Sequence, residues 1–184
     1  MRILLFALVF LTIGGSSSFA SASPLPRYYL SGSIAEDSDT YLAEFLKENP
    51  GPVEVIINSR GGSQDASIKM GQAIAAHGKV ICKVRDFAAS GAFYVLTECA
   101  VRIAGPKSLL MTHRPRIVFN GLIDLETASE IWADLVKAAA SWDHLCSKKL
   151  KITPKQYAEK VRSKDWFMSP QEALAVGVID RIEP

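Results

Sequence analysis

The chain has 184 residues, 48% of them hydrophobic and 22% charged, which is the balance of one globular domain with a sizeable core and excludes a disordered chain. Lysine and arginine total 21 against 19 aspartate and glutamate, with no block of like charge, so the footprint of a nucleic-acid or anionic-lipid binder is absent. The three cysteines, Cys82, Cys99 and Cys146, are too few for a disulfide scaffold and lack the spacing of a zinc site, so neither a metal nor another cofactor is expected.

Arg2, the apolar run Ile3 to Ile13 and the small residues Ala20-Ser21-Ala22 read as a signal peptide over residues 1–22, with cleavage after Ala22, or after Ala20 as the alternative. The run is shorter than the roughly 18 residues of a spanning helix, although an uncleaved segment would act as a membrane anchor. The domain, residues 23–184, is therefore expected outside the cytoplasm, periplasmic or extracellular, where disulfides form. Two of the three cysteines can pair there, and the sequence does not choose which.

Along the mature chain, Arg27 to Ser31 reads as a strand and Ser38 to Asn49 as a helix, with Tyr41, Leu42, Phe45 and Leu46 at helical spacing. Val53 to Ile57 is a β-branched run suited to a buried parallel strand, and it leads into Asn58-Ser-Arg-Gly-Gly-Ser63. A helix starts near Ser63 and stops at His77-Gly78, a cationic last turn with a C-cap glycine. Lys79 to Val84 is the next strand, followed by Arg85 to Gly91 and an apolar helix over Ala92 to Cys99. Val101 to Ala104 and Ser108 to Thr112 are short strands. A long amphipathic helix from Leu125 to Lys148 carries Ile131, Leu135, Ala138, Trp142 and Leu145 as one stripe. Thr153-Pro154 opens a helix to Arg162, Ser169-Pro-Gln-Glu172 is a capping box for a helix closed by Gly177, and Val178 to Ile182 ends the chain as a strand. Alternating strands and helices make this an α/β domain.

The three histidines can be sorted by position. His77 in a helix's last turn suits the dipole, and His144 inside the long helix reads as surface or packing. His113 follows the strand Leu109-Leu-Met111 and precedes Arg114-Pro115, so it projects from a strand end into a loop, where catalytic side chains are commonly placed. Ser90 lies among Ala88, Ala89, Gly91 and Ala92 at a strand-to-helix turn. Either its hydroxyl is a nucleophile beside free helix-start N–H groups, or it is a plain N-cap. Gly61-Gly62 is likewise either a turn or a loop that donates to a substrate carbonyl.

Taken together these segments resemble the proteolytic subunit of the Clp protease, a serine peptidase of crotonase-like fold. Val55-Ile-Ile-Asn-Ser-Arg-Gly-Gly62 resembles the family's Asn-Ser-Pro-Gly-Gly strand end, and Ala88-Ala-Ser90 its Ala-Ala-Ser. Met111-Thr-His-Arg-Pro115 resembles Met-Ile-His-Gln-Pro, and Lys164-Asp-Trp-Phe-Met-Ser-Pro170 the segment that carries the acid. Glu172-Ala-Leu-Ala-Val-Gly-Val-Ile-Asp180 is similar to its closing motif. The resemblance implies a superhelix of ββα units with a protruding handle, the helix from Leu125 to Lys148. It implies Ser90 as nucleophile, His113 as base and Asp165 as the orienting carboxylate, with the N–H groups of Gly62 and Gly91 as oxyanion hole. Peptides or unfolded segments would be the substrates, and a homo-oligomeric ring, heptameric or doubled, the assembly.

Arg60 replaces the family's proline, Asp86 a glycine, and no methionine follows the nucleophile. Ser90-Gly91 is similar instead to signal peptide peptidase A, whose serine–lysine dyad would make Lys137 the base and Lys107 a weaker rival. His113 is preferred because it and Asp165 both sit in matching motifs. Little precedes the first strand after signal cleavage, and ATP is lacking outside the cytoplasm, so no ATP-driven unfoldase is expected as partner. Other readings in play are a ring-forming scaffold without activity and a crotonase-like enzyme acting on an acyl thioester.

Overall fold

The computed structural model describes residues 23–184, so the signal segment expected over residues 1–22 lies outside the described residues. The elements in chain order are β1 (Arg27–Ile34), α1 (Ser38–Glu48), β2 (Val53–Gly62), α2 (Gln64–His77), β3 (Val80–Ala89), α3 (Gly91–Glu98), β4 (Val101–Ala104) and β5 (Leu109–Thr112). They continue as α4 (Leu125–Ser147), α5 (Pro154–Val161), β6 (Trp166–Met168), α6 (Pro170–Val176) and β7 (Arg181–Ile182). The sheet runs β1-β2-β3-β4-β7 with every neighbouring pair parallel, while β5 pairs with β3 in parallel and with β6 antiparallel. This is the α/β superhelix that the resemblance implies.

Two strands are longer than their hydrophobic runs. β2 continues through Asn58-Ser-Arg-Gly-Gly62 because these residues keep pairing with β1, as Gly61 does opposite Ser33 and Gly62 opposite Ile34. β3 continues through the segment read as a loop: Ile81 to Val84 pair with β4, and Phe87 to Ala89 then pair with β5. One strand thus feeds two neighbours on the same edge, and its far end delivers the chain to Ser90. The three-residue β6 was not expected, because Trp166-Phe-Met168 becomes a strand only by pairing with β5. The final strand shrinks to Arg181–Ile182, as the Val178 N–H bonds back to Ala173 and the Asp180 N–H to Arg102.

The core is built on β2, where Val53, Val55 and Ile57 are fully buried, and on α3, all eight of whose residues are buried. Burial of Glu98 in α3 is offset by Lys149, whose Nζ lies 2.8 Å from its carboxylate. His77 donates from Nε2 to the Asn49 carbonyl at 2.9 Å, a structural role. The expected capping box forms at Ser169 with Glu172, and the N-cap expected at Thr153 is also a capping box, closed by Gln156. α4 buries only Trp142, Asp143, Cys146 and Ser147, all near its carboxyl end, so its first half stands off the body as a handle. There Ile131 and Leu135 line a cavity of about 220 Å³ with Phe119 and Ile123.

Cys82 on β3 and Cys99 at the end of α3 form a disulfide, 17 residues apart, that encloses Ser90. Cys146 is a buried free thiol pushed up to about 12 by burial, and so unreactive at neutral pH. Closing a loop of this length contributes about 3 kcal/mol. The pair Cys82→Ala and Cys99→Ala is therefore expected to lower the melting temperature by roughly 10 °C in calorimetry, and added reductant to do the same to the native chain.

Two carboxylates make stability depend on acid. Asp180 is raised by burial but lowered further by its bonds from the Arg102 backbone and guanidinium, and ends below its ordinary value. Glu54 is held down mainly by Lys83, against burial, with help from Arg27 at 2.7 Å. A carboxyl whose pKa is lower in the folded state stabilises above its unfolded value and stops doing so as pH falls through its folded value. Melting temperature is expected to fall below about pH 4, and Asp180→Asn to flatten that fall while lowering stability at pH 7.

Candidate active site

The strand-to-helix turn after β3 fixes Ser90. Its backbone has φ 55° and ψ −120°, a conformation that a non-glycine residue holds only when its surroundings impose it. The Ser90 N–H donates to the Met111 carbonyl at 2.9 Å, and its own carbonyl accepts from Phe93 at 3.0 Å, so both sides of the residue are tied. It occupies the N-cap position of α3, yet its hydroxyl makes no capping bond. The plain N-cap reading therefore fails, and the hydroxyl is free to face the adjoining pocket.

Gly61 and Gly62 at the end of β2 close on this turn. Gly61 has φ +86°, and a Cβ there would lie 2.6 Å from the Ala89 carbonyl oxygen and 2.7 Å from the Gly91 nitrogen. Only a glycine lets the two backbones approach this closely. Buried Ser59 pins the loop by donating to the Gly32 carbonyl at 2.7 Å and accepting from the Gly61 N–H at 3.1 Å. The Gly91 N–H, in the first turn of α3, belongs to the set without an intrahelical acceptor.

His113 leaves β5 with both neighbours clamped. Thr112 is buried and its hydroxyl pairs with the Tyr157 hydroxyl, which burial keeps un-ionised. Arg114 donates from Nε to both oxygens of the buried Asp143 on α4, at 3.1 and 3.0 Å. The guanidinium is held firmly charged by that carboxylate. His113 Nδ1 donates to the Arg114 carbonyl at 2.6 Å. A carbonyl only accepts, so this bond puts the imidazole proton on Nδ1 and leaves the Nε2 lone pair available as a base.

Asp165 is placed differently. The antiparallel ladder of β5 and β6 ends at Thr112 opposite Trp166, and His113 and Asp165 are the residues just beyond that last pair. The backbones thus bring the two residues abreast, but the Asp165 carboxylate is bound by the Arg116 guanidinium and not by His113. That pair is open to solvent, with side chains 61% and 28% exposed.

A pocket of about 240 Å³ joins Gly62, Ser90, Gly91 and His113, with Gln64, Pro115, Arg116 and Trp142 completing its wall. Four of the five expected site residues therefore meet, and Asp165 stays outside behind Arg116. Lys137 is 78% exposed and paired with Asp134 on α4, and Lys107 lines a separate cavity of about 510 Å³ beside Glu54, so neither rival base reaches the pocket. Two of the three departures lie apart from it too, as Arg60 stacks over Phe87 at 5.8 Å and Asp86 accepts from Asn58 at 3.0 Å, whereas the third, Gly91 in place of a methionine, lines the pocket. Arg116 and Trp142 had not been singled out as site residues. A cation three residues beyond the candidate base was the one available hint for Arg116, whereas Trp142 reads as one more apolar position on the α4 stripe.

The family model for Clp protease matches residues 34–184. The chain is 28% identical over 169 residues to the ATP-dependent Clp protease proteolytic subunit 1 of Chlamydia trachomatis serovar D, with 85% of each chain covered. The protein so described from Chlamydia trachomatis serovar A matches to the same extent.

The approach at Gly61 is open to direct test. Gly61→Ala is expected to destabilise the fold by about 3 kcal/mol in urea unfolding, through a clash and an unfavourable φ together, whereas Gly51→Ala, with open space around it, changes stability little.

Proposed function

The chain belongs to the Clp protease family, and from that premise we propose that it is an exported serine endopeptidase acting on peptides or unfolded protein segments. The observation that carries the proposal is Ser90, held at φ 55° with an uncapped hydroxyl in one pocket with His113, Gly62 and Gly91. Ser90 Oγ attacks the peptide carbonyl carbon while His113 Nε2 takes its proton. The N–H groups of Gly62 and Gly91 receive the oxyanion, His113 returns the proton to the leaving amine, and water releases the acyl group by the same steps. Asp165 orients His113 as third member of the triad once it leaves Arg116, a change that its place abreast of His113 makes short.

The Cys82–Cys99 disulfide supports export, since such bonds persist in oxidising compartments and are rare in the cytosol. In a periplasmic or extracellular setting the enzyme acts without an ATP-driven unfoldase. Family membership supports a homo-oligomeric ring, and the exposed Val118, Leu122, Leu125 and Trp132 on and before the handle are the apolar surface such an assembly would cover.

Labelling with a fluorophosphonate, read by peptide mass spectrometry, tests the reading. Ser90 of the native chain is expected to carry the label, Ser90→Ala to carry none, and His113→Ala to label at least a hundredfold more slowly. A folded chain that takes no label would leave the scaffold reading standing. Labelling that survives His113→Ala and fails in Lys137→Ala would establish the dyad instead.

A further inference from the structure

Resting on the peptidase reading above, we propose that Arg116 makes this site selective for an acidic residue at the position whose carbonyl is attacked. Among the described residues Arg116 is the only arginine or lysine on the wall of the Ser90 pocket, and none of the lining residues is a carboxylate. The pocket's volume of about 240 Å³ has room for one side chain beyond a carbonyl placed at Ser90. Past Pro115 and Arg116 a second cavity of about 370 Å³ is lined by Arg114, Arg116 and Lys164, again without a carboxylate. Among the described residues Lys164 has no ion-pair partner, and at Ser163 the chain beside it takes φ 58°. Arg114 is already held by Asp143, so a peptide entering here meets the Arg116 guanidinium and the Lys164 ammonium, and a glutamate or aspartate side chain pairs with them.

The same contact explains what becomes of Asp165. Its ion pair with Arg116 is exposed and therefore weak, so a substrate carboxylate that is desolvated in the pocket takes its place on the guanidinium. Asp165, already abreast of His113, then accepts the Nδ1 proton in place of the Arg114 carbonyl. No charge is created or lost, since one carboxylate replaces another on Arg116. An acidic substrate thereby completes the site that cuts it.

The test compares hydrolysis of a peptide series with a coumarin leaving group, in which the residue before the scissile bond is Glu, Gln, Leu or Lys. Fluorophosphonate labelling of Ser90 is measured on the same preparations. The native chain is expected to show a kcat/KM about tenfold higher for Glu than for Gln, with Arg116→Gln abolishing the difference and Arg116→Lys retaining part of it. Equal cleavage of the Glu and Gln peptides by an enzyme that labels at Ser90 overturns the selectivity and leaves the peptidase reading intact. A Glu preference that survives Arg116→Gln overturns it as well. Absence of both cleavage and labelling overturns the peptidase reading and this inference together.

Discussion

The site depends on one close approach of backbones, the end of β2 lying against the turn that follows β3. Gly61 sits where a methyl group would touch the Ala89 oxygen and the Gly91 nitrogen, so the two chains are separated by little more than van der Waals distance. That contact gathers Gly62, Ser90 and Gly91 on the wall of one pocket, with Ser90 held at φ 55°. The buried helix α3 and the Cys82–Cys99 bond support it, tying β3 to the far end of the helix that starts after Ser90.

Around this fixed part the charged groups divide by burial into those that hold and those that move. Asp143 is buried, and removing Arg114 would leave its carboxylate unpaired at a cost on the order of 2 to 3 kcal/mol. That pair therefore anchors the His113 loop to α4. The pair of Arg116 with Asp165 lies in solvent and contributes roughly 1 kcal/mol or less. Arg114, beside His113, is held by three hydrogen bonds to a buried carboxylate, whereas Arg116, two positions on, is held by one to a partly exposed carboxylate.

The positions that depart from the family pattern fit the same division. Arg60 and Asp86 make contacts across the ends of β2 and β3, with Phe87 and Asn58, and line no part of the Ser90 pocket. Both side chains are exposed, so their charges are solvated and the close-packed contact of Gly61 with the Ser90 turn is left undisturbed.

Read alone, the sequence settles the α/β class, the caps, most element positions and the candidacy of Ser90 and His113, while Gly62 and Gly91 gain their reading only through the family resemblance. Those features rest on local chemistry: β-branched runs, helical spacing, Ser-Pro and Thr-Pro starts, and small residues around a turn. It left the extent of β2 and β3, the existence of β6 and the choice of cysteine pair undecided, because each depends on a partner far along the chain. Trp166-Phe-Met168 is a strand only beside β5, and Cys82 meets Cys99 only because α3 folds back behind β3. The state of Asp165 was equally beyond local reading. Its motif matched, but which cation it meets is decided by where the loop after His113 carries Arg116, and that position exists only in the folded chain.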